Sequence, residues 1–93
     1  MSEGSKVILK LFVTGQTVRS RIALANLERI CHERLPGQSE IHVIDVLENP
    51  EAADEHWIIA TPTLVRDFPE PRRRMVGDLS SLEKVVEALD LAR

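Results

Sequence analysis

Few side chains in this sequence are suited to covalent or metal chemistry. The chain has one cysteine, three histidines and four scattered glycines among 93 residues. Cys31 and His32 are neighbours, but successive helix residues point about 100° apart, so they do not form a nucleophile–base pair. His42 and His56 have no partner at the spacing of metal ligands, and no glycine-rich phosphate loop occurs. The sequence therefore predicts no catalytic residue, no metal site and no cofactor.

Arginine is the residue type whose placement stands out. Residues 66–74 hold four arginines and two acidic residues, whereas residues 45–55 hold five acidic residues and no lysine or arginine. Alternate residues of a strand share a face, so Arg72 and Arg74 lie on one face and Arg73 on the other. Together with Arg66 on a neighbouring strand, they predict a cationic edge that binds a partner. The alternative is a solvated hairpin, because exposed charges usually contribute little.

Composition narrows the class of protein. The chain is 43% hydrophobic and 29% charged, which is typical of a globular domain, and its single cysteine excludes an internal disulfide framework. A net charge of −3 argues against nucleic acid as a partner. The apolar stretches are too short for a membrane span, and the first residues do not resemble a secretory signal. We expect one cytoplasmic domain over residues 1–93, with residues 1–5 as a disordered tail.

Hydrophobic periodicity and turn residues divide the chain into seven elements. The predicted strands are at 7–13, 41–46, 63–68 and 72–76. The first helix follows the first strand, is capped by Thr17 or Ser20 and ends at Pro36-Gly37, and the second helix is at 51–60. The last helix follows the fourth strand and begins near Ser80 and Glu83, which have capping-box spacing. The first helix presents Ala23, Leu27 and Cys31 on one apolar stripe.

The order β-α-β-α-β-β-α indicates a thioredoxin-like α/β fold. A strand–helix–strand start requires a parallel pair joined by a right-handed crossover, and the closing hairpin adds antiparallel pairing. The result is a mixed four-stranded sheet with helices on its faces. Thioredoxin-like oxidoreductases place a Cys-x-x-Cys pair after the first strand, but residues 15–20 hold no cysteine. A redox enzyme is therefore disfavoured, and Cys31 is interpreted as a buried, inert thiol.

Four sequence runs resemble the KaiB family, the small proteins of the bacterial circadian clock. They are LKLFVTGQT at 9–17, VIDVLENP at 43–50, ATPTLVR at 60–66 and PEPRRRMVGDLS at 69–80. The resemblance covers residues 6–91 without apparent gaps. It implies a non-catalytic protein that binds the N-terminal ATPase ring of a KaiC-type ATPase and regulates circadian or hourglass timing or stress adaptation. KaiA, a histidine kinase and a homo-oligomer (dimer or tetramer) are further implied partners, and an adaptor for another ATPase or kinase is the alternative.

The resemblance also assigns roles to individual residues. It supports an acidic partner surface for the arginines, and the residues predicted to bind the partner are Lys10, Arg66, Arg72, Arg73 and Arg74. KaiB-like proteins have two folds, of which the thioredoxin-like one binds the ATPase. The other, a tetrameric ground state, has the order β-α-β-β-α-α-β. Positions predicted to matter for the fold or its switch are Pro62, Gly77, Asp78, Ala88 and Asp90.

Two of those positions carry specific expectations. The resemblance implies a cis peptide bond at Thr61-Pro62. Ala88 stands where well-studied members carry glycine, and alanine is better than glycine in a helix interior by about 1 kcal/mol. We therefore expect the segment after Ser80 to be helical and the chain to favour the thioredoxin-like fold over the ground state.

Overall fold

The computed structural model describes residues 6–91. The predicted tail at 1–5 lies outside the described residues. The elements are β1 (Val7–Val13), α1 (Val18–Arg34), β2 (Ser39–Asp45), α2 (Pro50–Glu55), β3 (Thr63–Phe68), β4 (Arg73–Val76) and α3 (Leu82–Leu89). The predicted order β-α-β-α-β-β-α is confirmed, and the final segment is a helix.

The four strands form one mixed sheet in the order β2-β1-β3-β4. β1 pairs in parallel with β2 and antiparallel with β3, which in turn pairs antiparallel with β4. β1 is nearly all apolar because it is flanked by strands on both sides. β2 and β4 are the two edge strands of this sheet.

The main core lies between one face of the sheet and the helices α1 and α3. Leu9 and Leu11 of β1 pack there with Leu64 of β3, and all three are fully buried. Helices α1 and α3 contribute buried residues that include Leu27 and Leu89. Cys31 belongs to this cluster, as its position on the apolar stripe predicted.

The helix ends follow local hydrogen bonding. Thr17 caps α1 by accepting a bond from the Ser20 amide. The cap predicted for α3 at Ser80 is wrong by one residue, because Asp78 accepts the Ser80 amide and Ser81 caps the helix instead. No helix among residues 6–91 has the length and apolar character needed to cross a membrane.

The second helix is shorter than the predicted 51–60. It ends at Glu55, and Trp57 adopts a positive φ of 56° that is incompatible with continuing the helix. The next two residues, Ile58 and Ile59, are β-branched and favour extended backbone. Residues 56–62 therefore form a loop, referred to below as the α2–β3 loop, which leads to the Thr61-Pro62 bond. That bond is cis, as the resemblance implied.

Candidate partner-binding surface

The α2–β3 loop is held against strand β4 by Arg74. The Arg74 guanidinium donates hydrogen bonds to the carbonyl oxygens of His56 at 2.6 Å and Trp57 at 2.9 Å. Both carbonyls are thereby satisfied outside a helix. Arg74 thus fixes the start of the loop beside the edge strand of the sheet.

His56 anchors the same end of the loop to the second face of the sheet. Its side chain is buried, and its ring lies 5.1 Å from that of Phe12. The His56 Nδ1 donates to the carbonyl of Ala52 at 3.0 Å. This packing and the Arg74 bonds together determine where the following residues emerge.

The other end of the loop is tied to two strands. The hydroxyls of Thr14 and Thr61 lie 2.6 Å apart in a hydrogen bond, which joins the end of β1 to the cis peptide. The Gly77 amide donates to the carbonyl of Pro62 at 2.9 Å. Gly77 has a φ of 133°, a conformation that residues with a side chain rarely adopt.

A loop fixed at both ends exposes two large apolar side chains. Trp57 is 79% exposed and Ile59 is 94% exposed. Val76, at the end of β4, is 53% exposed and shares a sheet face with Arg74. Exposed apolar residues held on a defined backbone are typical of a protein-binding surface.

The structure places Arg66 in the interior, so its predicted place on an exposed cationic edge is wrong. Arg66 is 4% exposed. Its guanidinium donates to the carbonyls of Leu89 at 2.9 Å and Pro71 at 2.7 Å, with a longer bond of 3.4 Å to Asp90. Arg66 thus joins the C-terminus of α3 to the β3–β4 hairpin, where the negative end of the helix dipole favours a cation.

Lys10 and Arg72 both pair with Asp67. Lys10 Nζ lies 3.2 Å from one carboxylate oxygen of Asp67, and Arg72 Nε lies 2.7 Å from the other. Partial burial alone raises the pKa of Asp67, but the hydrogen bonds and charges of Lys10 and Arg72 outweigh it and lower that pKa. Both cations therefore have a carboxylate partner within the fold.

Asp67→Asn is expected to lower the unfolding free energy at pH 7 by about 0.5–1 kcal/mol, the usual range for a pair near the surface. Because folding lowers the pKa of Asp67, its stabilisation is present above the ordinary carboxyl value and is lost as the pH falls through the folded-state value. Urea unfolding at several pH values should show the two proteins converging as the pH falls below the ordinary carboxyl value and through the lower folded-state value. Glu70→Gln, an exposed change in the same hairpin, is the control and should differ little from the wild type at any pH.

Arg73 and Arg74 differ from the other cations of the hairpin. Among residues 6–91, neither guanidinium forms an ion pair with a carboxylate. Arg74 donates only to backbone carbonyls, and Arg73 is exposed without a hydrogen-bonded partner in that part of the chain. Of the five predicted partner-binding residues, these two have no carboxylate partner within residues 6–91, and Arg74 is the one bonded to the α2–β3 loop there.

The reactive side chains of Cys31 and His42 lie in different surroundings. Cys31 is buried, and this burial raises the pKa of its thiol, which disfavours the reactive thiolate. Glu40 pairs with His42 on the exposed face of β2, and the hydrogen bond from His42 lowers the pKa of Glu40. The described residues contain no group of three or more His, Cys, Asp or Glu that could hold a metal ion.

Comparison with known proteins identifies the family. The family model for the KaiB domain matches residues 10–91. The circadian clock protein KaiB3 of Synechocystis sp. is 46% identical over 87 residues, covering 94% of this chain and 85% of the relative. The circadian clock oscillator protein KaiB of Synechococcus elongatus is 48% identical over 91 residues, covering 98% and 89%. The chain belongs to the KaiB family.

Solved structures place this KaiB-family chain in the thioredoxin-like fold. The N-terminal domain of Synechococcus elongatus SasA superposes with a TM-score of 0.75 at 20% identity, covering 89% of this chain and 78% of that one. Mitochondrial thioredoxin 3 of Saccharomyces cerevisiae superposes with a TM-score of 0.73 at 15% identity, covering 95% and 80%. At these identities the comparison establishes the fold alone.

Three of the positions that KaiB resemblance connects with the fold or its switch, Asp78, Ala88 and Asp90, lie around α3. Asp78 accepts the Ser80 amide through its side chain, and its carbonyl accepts a bond from Asn26 at 2.8 Å. Ala88 is half-buried within α3, and Asp90 ends that helix with a left-handed φ of 55°. How the two KaiB folds are populated stays a prediction.

Sequence reasoning missed Trp57 and Ile59, because it assigned both to a helix over 51–60. One signal was available. A helix packed on a sheet needs an apolar stripe, whereas Trp57, Ile58 and Ile59 are consecutive and cannot share one helix face. Three large apolar residues in a row immediately before Thr61-Pro62 are better explained by an extended loop.

Proposed function

We propose that this chain is a non-catalytic clock-type protein that binds the N-terminal ATPase ring of a KaiC-type ATPase and thereby regulates circadian or hourglass timing or stress adaptation. Membership of the KaiB family and the names of its clock-protein relatives support this function. The buried thiol and the cysteine-free turn at 15–20 argue against the thioredoxin-like redox alternative. KaiA, a histidine kinase and a second copy of the chain remain proposed partners.

The observation that carries the proposal is the exposure of Trp57 and Ile59 on a loop fixed at both ends. Binding sites on proteins usually depend on a few large apolar or aromatic residues that become fully buried in the complex. Arg74, which is bonded to this loop, and Arg73, on the other face of the same strand, supply charge that favours an acidic partner and speeds association. Because the loop is already ordered by Arg74 and His56, little conformational entropy is lost when a partner covers it.

The proposal is tested with the single tryptophan as the reporter. Trp57 is the only tryptophan of the chain, so its emission follows burial by an ATPase engineered to lack tryptophan. Ile59→Ser should weaken binding to a KaiC-type ATPase from the same source about tenfold or more, the loss expected for a central apolar contact. Leu47→Ser is the matched control, because Leu47 is 68% exposed in the loop between β2 and α2.

Two results would contradict the proposal. One is an unchanged Trp57 emission at saturating ATPase, which would show that the α2–β3 loop is not covered. The other is an equal loss of affinity in both serine variants, which would place the contact elsewhere. If the unmodified chain does not bind the KaiC-type ATPase and a pull-down from the source cell returns a different ATPase or a kinase, the adaptor alternative is favoured.

A further inference from the structure

The outer edge of β4 has a defined set of backbone groups that no strand within residues 6–91 pairs. The Gly77 amide donates to the Pro62 carbonyl, and these two residues are opposite each other when the pairing Thr63↔Val76 is extended by one position. In an antiparallel pair, hydrogen-bonded positions alternate with non-bonded ones. Arg73 and Met75 therefore direct their backbone groups toward β3, whereas Arg74 and Val76 direct their N–H and C=O groups outward.

No other strand among residues 6–91 covers this edge, because β4 is the last strand of the sheet. An exposed edge of this kind is a template for strand addition. Two features indicate what such a strand would carry. Val76 is a half-exposed apolar residue, and Arg73 and Arg74 place on opposite faces of the sheet guanidinium groups that have no carboxylate partner among residues 6–91.

We propose that the outer edge of β4 binds an extended, acidic segment of a partner protein as an additional antiparallel strand. Its sequence, read from N- to C-terminus, is an apolar residue opposite Val76, any residue opposite Met75, and two acidic residues opposite Arg74 and Arg73. The two consecutive carboxylates point to opposite faces, so each meets one arginine. The other free edge, on β2, does not suit this segment because it carries Glu40 and Asp45.

A second copy of the chain is a less favourable occupant. Pairing two β4 strands across a twofold axis would bring together two hairpins that each hold four arginines and two acidic residues over 66–74. Like charges brought together oppose association, so a dimer of this kind would be strengthened by salt. Binding of an acidic strand is weakened by salt, and the sign of the salt effect separates the two.

The test uses the full chain and two blocked peptides with one composition, Thr-Thr-Val-Thr-Glu-Glu-Thr-Thr and its reverse, Thr-Thr-Glu-Glu-Thr-Val-Thr-Thr. Followed by NMR, the first peptide should shift and protect from exchange the outward amides of Arg74 and Val76, but not that of Met75. The affinity of the reversed peptide should be lower by about fivefold or more, because its carboxylates no longer face the arginines. Raising the salt from about 0.05 to 0.5 M should weaken the first peptide severalfold.

Two variants separate the edge from a general charge effect. Val76→Pro removes one outward N–H without breaking a bond to β3 and should abolish binding, while Val76→Thr keeps that N–H and should bind within about twofold of the wild type. Arg73→Gln should weaken the peptide severalfold, and it keeps the test valid if the proline variant fails to fold. Because no ATPase is present, failure here leaves the proposed function untouched.

Four results would overturn the inference. The two peptides could bind equally, the shifts could centre on the β2 edge, or the chain could associate with itself through β4 more strongly as salt rises. Absence of any shift at Arg74 and Val76 with millimolar peptide would overturn it as well.

Discussion

Phe12→Ala is expected to lower the unfolding free energy by about 3–5 kcal/mol, the largest effect of any single change considered for this chain. Phe12 is fully buried in the central strand β1, and its ring packs against that of His56. Truncation removes this apolar burial and leaves a cavity that a strand flanked on both sides cannot close. A domain of this size has about 5–15 kcal/mol of stability, so the loss is a large fraction of the total.

The matched control is Phe68→Ala, which truncates the only other phenylalanine of the chain. Phe68 is 44% exposed at the end of β3, and its removal should cost about 1 kcal/mol or less. Urea unfolding followed by circular dichroism measures both. Equal losses would show that the His56 side of the sheet is not packed as described. Since Phe12 supports His56, its truncation should also weaken partner binding at the α2–β3 loop.

Arg66→Met is expected to lower the unfolding free energy by about 3 kcal/mol, which combines the loss of charge-assisted bonds with the cost of buried acceptors left unpaired. The methionine fills a similar volume but cannot donate to the carbonyls of Leu89 and Pro71. The effect should concentrate in α3, because the guanidinium is the hydrogen-bonded link between the end of that helix and the hairpin. Hydrogen exchange should show the α3 amides opening more readily than those of α1.

Arg73→Met is the control for this change, because Arg73 lies opposite Arg66 in the β3–β4 ladder and receives the same substitution. It is exposed without a partner among residues 6–91, so its loss should alter stability by no more than about 0.5 kcal/mol. A stability loss at Arg73 equal to that at Arg66 would mean that charge in the hairpin, and not the bonds to α3, is responsible. Arg66→Lys should give an intermediate value, since one ammonium cannot reproduce the planar fork.

The elements that could be predicted are those whose side-chain pattern depends on the main core. β1 was predictable because an apolar run bounded by Gly15 is typical of a strand between two others. α3 was predictable because its apolar residues recur at helical spacing. The cis bond at Thr61-Pro62 came from the family resemblance, and nothing in the residue pattern alone distinguishes it from a trans bond.

The misses concern residues whose role depends on contacts distant in sequence. The sequence pattern grouped Arg66 with the exposed arginines. Arg66 is two residues from Leu64 on the same strand, so both side chains lie on the core face of β3. The two-residue spacing shows which face Arg66 occupies. It does not show that the carbonyls at the end of α3 accept hydrogen bonds from the guanidinium. Likewise the end of α2 depends on Arg74, which donates a hydrogen bond to the carbonyl of His56, eighteen residues earlier in the chain.

The strand order β2-β1-β3-β4 has a consequence for the chain as it leaves the ribosome. β1, α1 and β2 are contiguous in sequence, so the parallel pair can form before residues 63–76 are synthesised. Until then β1, the most apolar strand, has one unpaired edge where β3 will later bind. An apolar strand edge that is unpaired in a nascent chain can pair with other chains and cause aggregation. Pairing of β3 with β1 soon after synthesis removes this exposed edge.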